Sequence, residues 1–163
     1  MKRYLYLVRH ATAEDGSFYL PDFDRELTPE GIIQAARMGK RLADSNLKPE
    51  LLVSSGAKRA YQTAKIMAEQ LGCDTNKIET DNALYAGGPK AYMAIVNASL
   101  SSLAHLMIVG HNPDISFFAE YLTHADIGQM NKSGVVTIEF EHLEWSEVSA
   151  RTGKFISYKH PKE

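Results

Sequence analysis

Short apolar runs alternate along the chain with longer stretches in which apolar residues return every three or four positions. Residues 5–8 (Leu-Tyr-Leu-Val) form such a run, the pattern of a strand buried on both faces. Over 29–44, Ile32, Ile33, Ala36, Leu42 and Ala43 recur at helical spacing and predict a helix with those residues turned inward. Thr28 is the natural N-cap, and Pro29 falls in the first turn, where its missing N–H does no harm. Leu51, Leu52 and Val53 predict a second strand, and a helix over 58–71 follows, with Gly72 placed to end it. Ile78 marks a further short strand, 89–102 a helix, and 106–109 a third clear strand. A helix from about Pro113 carries Ile115, Phe118, Ala119 and Leu122 on one face, which reads as core. Residues 135–140 and about 145–157 read as two or three strands joined by a turn.

This alternation predicts an α/β fold, a three-layer α/β/α sandwich around a mainly parallel, mixed central sheet. No repeat or linker divides the 163 residues, so one domain over 1–163 is expected. A net charge of −2 sets up no field that would gather nucleic acid or an anionic membrane, and neither is expected as a partner. Any strongly anionic substrate group has to be held by a local cluster of cations instead. Cys73 is the only cysteine, which excludes an internal disulfide and reads as an ordinary free thiol. Lys2 and Arg3 precede an apolar run that Arg9 and His10 interrupt, too short for a signal peptide or for the roughly 20 residues of a membrane span. A soluble, cytoplasmic protein is the expectation.

In sheets of this class ligands bind beyond the carboxyl ends of the strands. The first strand ends in Arg9-His10. The second ends in Ser54-Ser55-Gly56, with Arg59 in the first turn of the next helix, and the third in Gly110-His111-Asn112. Each residue taken alone reads as a surface group or loop anchor. Together, three strand ends deliver two arginines and two histidines to one edge of the sheet. Guanidiniums fork onto phosphate oxygens, so the set suits a phosphoryl group. There is no Gly-x-x-x-x-Gly-Lys-Ser/Thr loop, and no Cys/His cluster with zinc spacing. No metal or other cofactor is expected.

Four blocks also resemble a known family in their order along the chain. Val8-Arg9-His10-Ala11 is similar to the Arg-His-Gly/Ala signature of the histidine phosphatase (phosphoglycerate mutase-like) superfamily. Leu27-Thr28-Pro29-Glu30-Gly31 resembles its Leu-Thr-x-x-Gly stretch. Ser54-Ser55-Gly56-Ala57-Lys58-Arg59-Ala60-Tyr61-Gln62-Thr63-Ala64 resembles its Ser-x-x-x-Arg-Ala-x-Gln-Thr-Ala block, and Val109-Gly110-His111-Asn112-Pro113 its second histidine motif. The short chain and Ala11 point to the small SixA-like phosphohistidine phosphatases. From Val135 onward no motif matches.

The resemblance implies a covalent phosphohistidine intermediate on His10, with Arg9, Arg59 and His111 clamping the phosphoryl oxygens. An ordinary histidine pKa of about 6.5 leaves a useful neutral fraction at pH 7. Arg25 aligns with an arginine near the family's pocket, and its alternative is a surface ion pair. Asn112 either donates to substrate or caps the helix that follows. Larger members use a glutamate after the second helix to protonate the leaving oxygen, but Ala83-Leu84-Tyr85-Ala86-Gly87-Gly88 holds no carboxylate. Glu14, Asp15, Asp22 and Asp24 stand in the loop after the first strand, and nothing in the sequence selects one of them. The expected substrate is a phosphohistidine-bearing protein, whose imidazole can leave without an added acid. The alternatives are a small phosphorylated metabolite served by a loop carboxylate, and a phosphate- or phosphoprotein-binding protein with little turnover.

Overall fold

A computed structural model describes residues 1–162. The elements run β1 (Lys2–Arg9), α1 (Pro29–Asp44), β2 (Leu51–Ser54), α2 (Lys58–Leu71), β3 (Glu79–Thr80), a one-turn α3 (Ala83–Ala86), α4 (Pro89–Ala98), β4 (His105–Gly110), α5 (Asp114–Thr123), β5 (Val135–Glu141) and β6 (Lys154–Lys159). The six strands form one sheet in the order β3-β2-β4-β1-β5-β6. β1, β4, β2 and β3 run parallel, whereas on the other side of β1 the strand β5 pairs antiparallel with β1 and β6 pairs antiparallel with β5.

Alternation along β1 sends its side chains into two cores. Leu5 and Leu7 join Leu106, Ile108, Tyr92, Phe118 and Trp145 on the face covered by α4 and α5. Tyr6 and Val8 join Met107, Val109, Met38, Ala64 and Met67 on the face covered by α1 and α2. Leu5, Leu7 and Val8 are fully buried, each worth roughly 1.5–3 kcal/mol of apolar burial. A strand buried on both sides has no polar face, which is why residues 5–8 read as an unbroken apolar run.

Several expectations hold in detail. The Thr28 hydroxyl accepts from the Gly31 N–H at 3.0 Å and caps α1, and Gly72 closes α2 in the left-handed conformation. Others are corrected. The buried stripe of α1 is Gly31, Ala35, Met38, Gly39 and Leu42, while Ile32 and Ile33 stand 49% and 51% exposed. Close approach explains the shift: a Cβ on Gly31 would lie 2.0 Å from the Thr12 carbonyl oxygen, and one on Gly39 would lie 2.9 Å from the Gln70 Cβ. Gly31, Ala35 and Gly39 let the helix approach its neighbours while Met38 and Leu42 fill the space beside them, and hydrophobicity alone is a poor guide to such a face. The helix expected to reach residue 102 ends at Ala98. The strands expected over 145–157 reduce to β6, because Trp145–Glu147 forms a 3-10 turn closed by a Glu144–Glu147 capping box.

Candidate active site

The sheet order decides where the chemistry collects. β1 pairs with β4 up to Arg9–Gly110, and β4 pairs with β2 up to Val109–Ser54, so three carboxyl ends stand side by side. With strands about 4.8 Å apart, residues following β1 and β2 are brought within side-chain reach of one another. Arg9, His10, Arg59 and His111 line one pocket of about 510 Å3, open to solvent. Asp22, Arg25, Tyr85, Asn112 and Lys132 also line it.

Backbone contacts around His10 leave its ring little freedom. Its N–H donates to the Gly110 carbonyl at 3.1 Å, and the Ser133 N–H donates to the Arg9 and His10 carbonyls, 3.1 Å each. Nδ1 lies 2.7 Å from the Ala11 carbonyl oxygen. A carbonyl can only accept, so Nδ1 carries the proton and Nε2 is left with a bare lone pair. The family-like blocks supply the scaffold behind this ring. The Ala11 N–H donates to the Thr63 hydroxyl at 3.0 Å, and Thr63 in turn donates to the Arg59 carbonyl at 2.7 Å. Gln34 accepts from both the N–H and the hydroxyl of Thr12, and Gln62 accepts from the Leu27 N–H.

His111 faces His10 with ring centroids 5.3 Å apart. Its N–H donates to the Tyr92 hydroxyl at 3.0 Å, and its Nε2 lies 2.8 Å from the Ser55 hydroxyl, which itself accepts from the Ala57 N–H. Arg9 donates from Nη1 to the Met130 carbonyl at 2.8 Å. Arg59 donates to the Asp22 carbonyl at 2.7 Å and to the Asp22 carboxylate at 3.0 Å. The Nε atoms of Arg9 and Arg59 and the Nδ1 of His111 are buried without a hydrogen-bond partner. Buried donors of this kind are ordinarily satisfied, so their concentration beside one pocket suits an anion.

Asp22 is the loop carboxylate that reaches the pocket. It accepts from Arg59, from Arg25 Nη1 at 2.8 Å and from the Tyr85 hydroxyl at 2.7 Å. These bonds, Tyr85 foremost, hold its carboxyl well below the usual range and keep it ionised. The same bond pushes the Tyr85 phenol up. Arg25 thus sits at the pocket wall and makes an ion pair there, and its Nε donates to the Glu14 carbonyl. Asn112 lines the pocket but does not cap α5: it donates to the Met130 carbonyl at 2.9 Å and accepts from the Ser116 hydroxyl.

Burial dominates the protonation of both histidines. It pushes His10 down to about 3, with the His111, Arg59 and Arg9 charges acting in the same direction and the Ala11 bond opposing. His111 is pushed down to about 4, chiefly by burial and then by Arg59. His10 is therefore essentially all neutral at pH 7 and stays so at pH 5, where an ordinary histidine at about 6.5 would be mostly protonated. In a pH titration followed by NMR, neither Cε1–H shift should move between pH 8 and pH 5; midpoints near 6.5 would contradict this account. The unfolded chain, with histidines at about 6.5, binds more protons below that pH than the folded one. Stability should therefore fall as pH drops from about 6.5, by on the order of 1–2 kcal/mol per histidine at pH 5.

The profile of the Histidine phosphatase superfamily (branch 1) matches residues 5–85, which contain His10 and Arg59. A protein of Picosynechococcus sp. whose name carries no function is 31% identical over 137 residues, covering 81% of this chain and 82% of its own length. The chain belongs to the histidine phosphatase superfamily. It is a phosphatase hydrolase of that superfamily. Its fold matches the crystal structure of a candidate phosphohistidine phosphatase SixA from Agrobacterium tumefaciens, with a TM-score of 0.82 and 25% identity over 98% of each chain. A different name attaches to the serine/threonine-protein phosphatase PGAM5 of Xenopus laevis, 40% identical over 88 residues. That stretch is 53% of this chain and 30% of PGAM5.

Four features of this family member's pocket were not singled out by its sequence. Ser55 and Tyr85 were indistinguishable from scaffold, and Asp22 was one of four loop carboxylates. The fourth is the segment leading into β5, where the Met130 carbonyl anchors Arg9 and Asn112 and Lys132 joins the wall. Ser133 adopts a left-handed φ of 62° beside Gly134, so Asn131-Lys132-Ser133-Gly134 was legible as a turn. Its place beside Arg9 was not, since 121 residues separate Arg9 from Met130.

Proposed function

We propose that this protein is a phosphohistidine phosphatase acting on phosphorylated protein through a phosphorylated His10. The reading rests above all on one observation: Asp22, the only carboxylate among the described residues that line the pocket, is held ionised by Tyr85, Arg25 and Arg59. It has no proton to give a leaving alkoxide. Phosphohistidine brings its own.

In this mechanism the Nε2 lone pair of His10 forms a bond to phosphorus. The substrate's P–N bond breaks and its electron pair returns to the leaving ring, which enters protonated on its other nitrogen and departs neutral. Arg9, Arg59 and His111 hold the non-bridging oxygens, which is most of what phosphoryl transfer asks of a protein. His111 would serve as a neutral donor through Nδ1, with Ser55 occupying its Nε2. Phospho-His10 keeps its Nδ1 proton on the Ala11 carbonyl. Water then bonds to phosphorus, the P–Nε2 pair returns to His10, and the water proton leaves with phosphate. Arg25 positions Asp22, and the free N–H of the Asn112 amide is a substrate donor.

Paired turnover assays on a phosphohistidine peptide and the matching phosphoserine peptide test the reading. Loss of general-acid help is worth about 10²–10⁴ in rate, so kcat/KM should favour phosphohistidine by at least about 100-fold. Comparable rates would instead favour a phosphoester or metabolite phosphatase, and negligible turnover of both a binding protein.

A further inference from the structure

Phe18 and Tyr19 are 96% and 91% exposed, far more than any other large hydrophobic residue described. Their rings meet edge to face at 5.4 Å, so each is packed on little besides the other. The loop that carries them is well tied. Ala13 and Leu27 form an antiparallel bridge at its base, and Glu14 and Glu26 exchange hydrogen bonds just beyond. Arg25 donates to the Glu14 carbonyl, and a second bridge, Ser17 to Leu20, closes a four-residue turn with the aromatics at its two central positions. The fold thus holds two apolar rings out in water on a braced hairpin tip.

We propose that Phe18 and Tyr19 are a docking point for the folded protein whose phosphohistidine enters the pocket. This rests on the phosphohistidine-phosphatase reading above and adds that the substrate is recognised as a protein surface. Tyr19 is three residues from Asp22, which lines the pocket, so their Cα atoms lie within about 11 Å of each other. A stable interface covers about 800 Å2 on each partner, a patch roughly 30 Å across. The tip therefore stands close enough to the pocket wall for a folded protein of that footprint, with its phosphorylated side chain at His10, to reach it. Two aromatic side chains bring about 150–250 Å2 each, a large share of such a contact, and their ordered backbone limits the entropy lost on binding. The partner this fits carries an apolar recess beside its phosphorylated histidine. A small metabolite in the pocket would leave both rings in water.

The test compares wild type with the double variant Phe18→Ser, Tyr19→Ser on two probes. One is a folded helical-bundle phosphotransfer domain phosphorylated on its surface histidine, and the other is free phosphohistidine. Neither side chain supports the core, so thermal unfolding should be unchanged. The variant is expected to lose roughly 10- to 100-fold in kcat/KM on the domain, almost entirely through KM, while turnover of free phosphohistidine stays within about twofold of wild type. An unchanged KM on the domain would overturn the docking proposal alone. Equal losses on both probes would also overturn it, assigning the tip to the pocket instead. Failure of wild type on both probes would overturn the phosphohistidine reading, and docking with it.

Discussion

His10→Ala is expected to lower turnover by at least about 10⁴-fold, the scale on which loss of a catalytic nucleophile acts, while the fold and phosphate affinity survive. The ring lies at the floor of an open pocket, and its Nδ1 bond to Ala11 is local. Its removal takes away a buried imidazole whose protonation is already disfavoured, not an apolar keystone. Arg9, Arg59 and His111 keep anchors of their own in Met130, Asp22 and Ser55. Inorganic phosphate measured by calorimetry should therefore bind within several-fold of its wild-type affinity. If His10→Ala kept more than about a tenth of wild-type turnover, the water would be attacking the substrate directly and the covalent route would be wrong.

Arg59→Ala should come second, with kcat down by about 10²–10³ as for loss of a transition-state charge donor. Here a second effect follows from the geometry. Arg59 holds the Asp22 carboxylate at 3.0 Å, so its loss leaves an anion at the pocket wall with less compensation. Phosphate affinity should fall further than one missing donor explains, and adding Asp22→Asn should recover part of it. Arg59→Lys should rescue poorly, because one ammonium cannot fork onto both the Asp22 backbone carbonyl and its carboxylate while serving a phosphoryl oxygen. Additive losses in the Arg59→Ala, Asp22→Asn cycle would mean that the two side chains act independently.

The legible parts of the fold were those governed by local rules. The cap at Thr28, the stop at Gly72 and the runs at 5–8 and 106–109 are each determined by a few neighbouring residues. The strand-end rule then brought Arg9, His10, Arg59 and His111 to one edge without any contact being visible. What stayed hidden depends on partners distant in sequence. The inward face of α1 is decided by how closely Thr12 and Gln70 approach Gly31 and Gly39. Trp145 looked like the start of a strand, yet it is fully buried in the α4–α5 core, with its indole N–H donating to the Leu103 carbonyl. Asp22 could be singled out only once Tyr85, Arg25 and Arg59 were seen to converge on it.

The covalent step is tested most directly by mixing wild-type protein with excess phosphohistidine peptide, quenching within milliseconds at alkaline pH and mapping the phosphate by mass spectrometry. The account predicts a phosphoenzyme carrying the label on His10, stable in base, lost in acid, and formed no more slowly than steady-state turnover. A quenched sample with turnover in progress but no phosphate on His10, or with phosphate on any other residue, would contradict it.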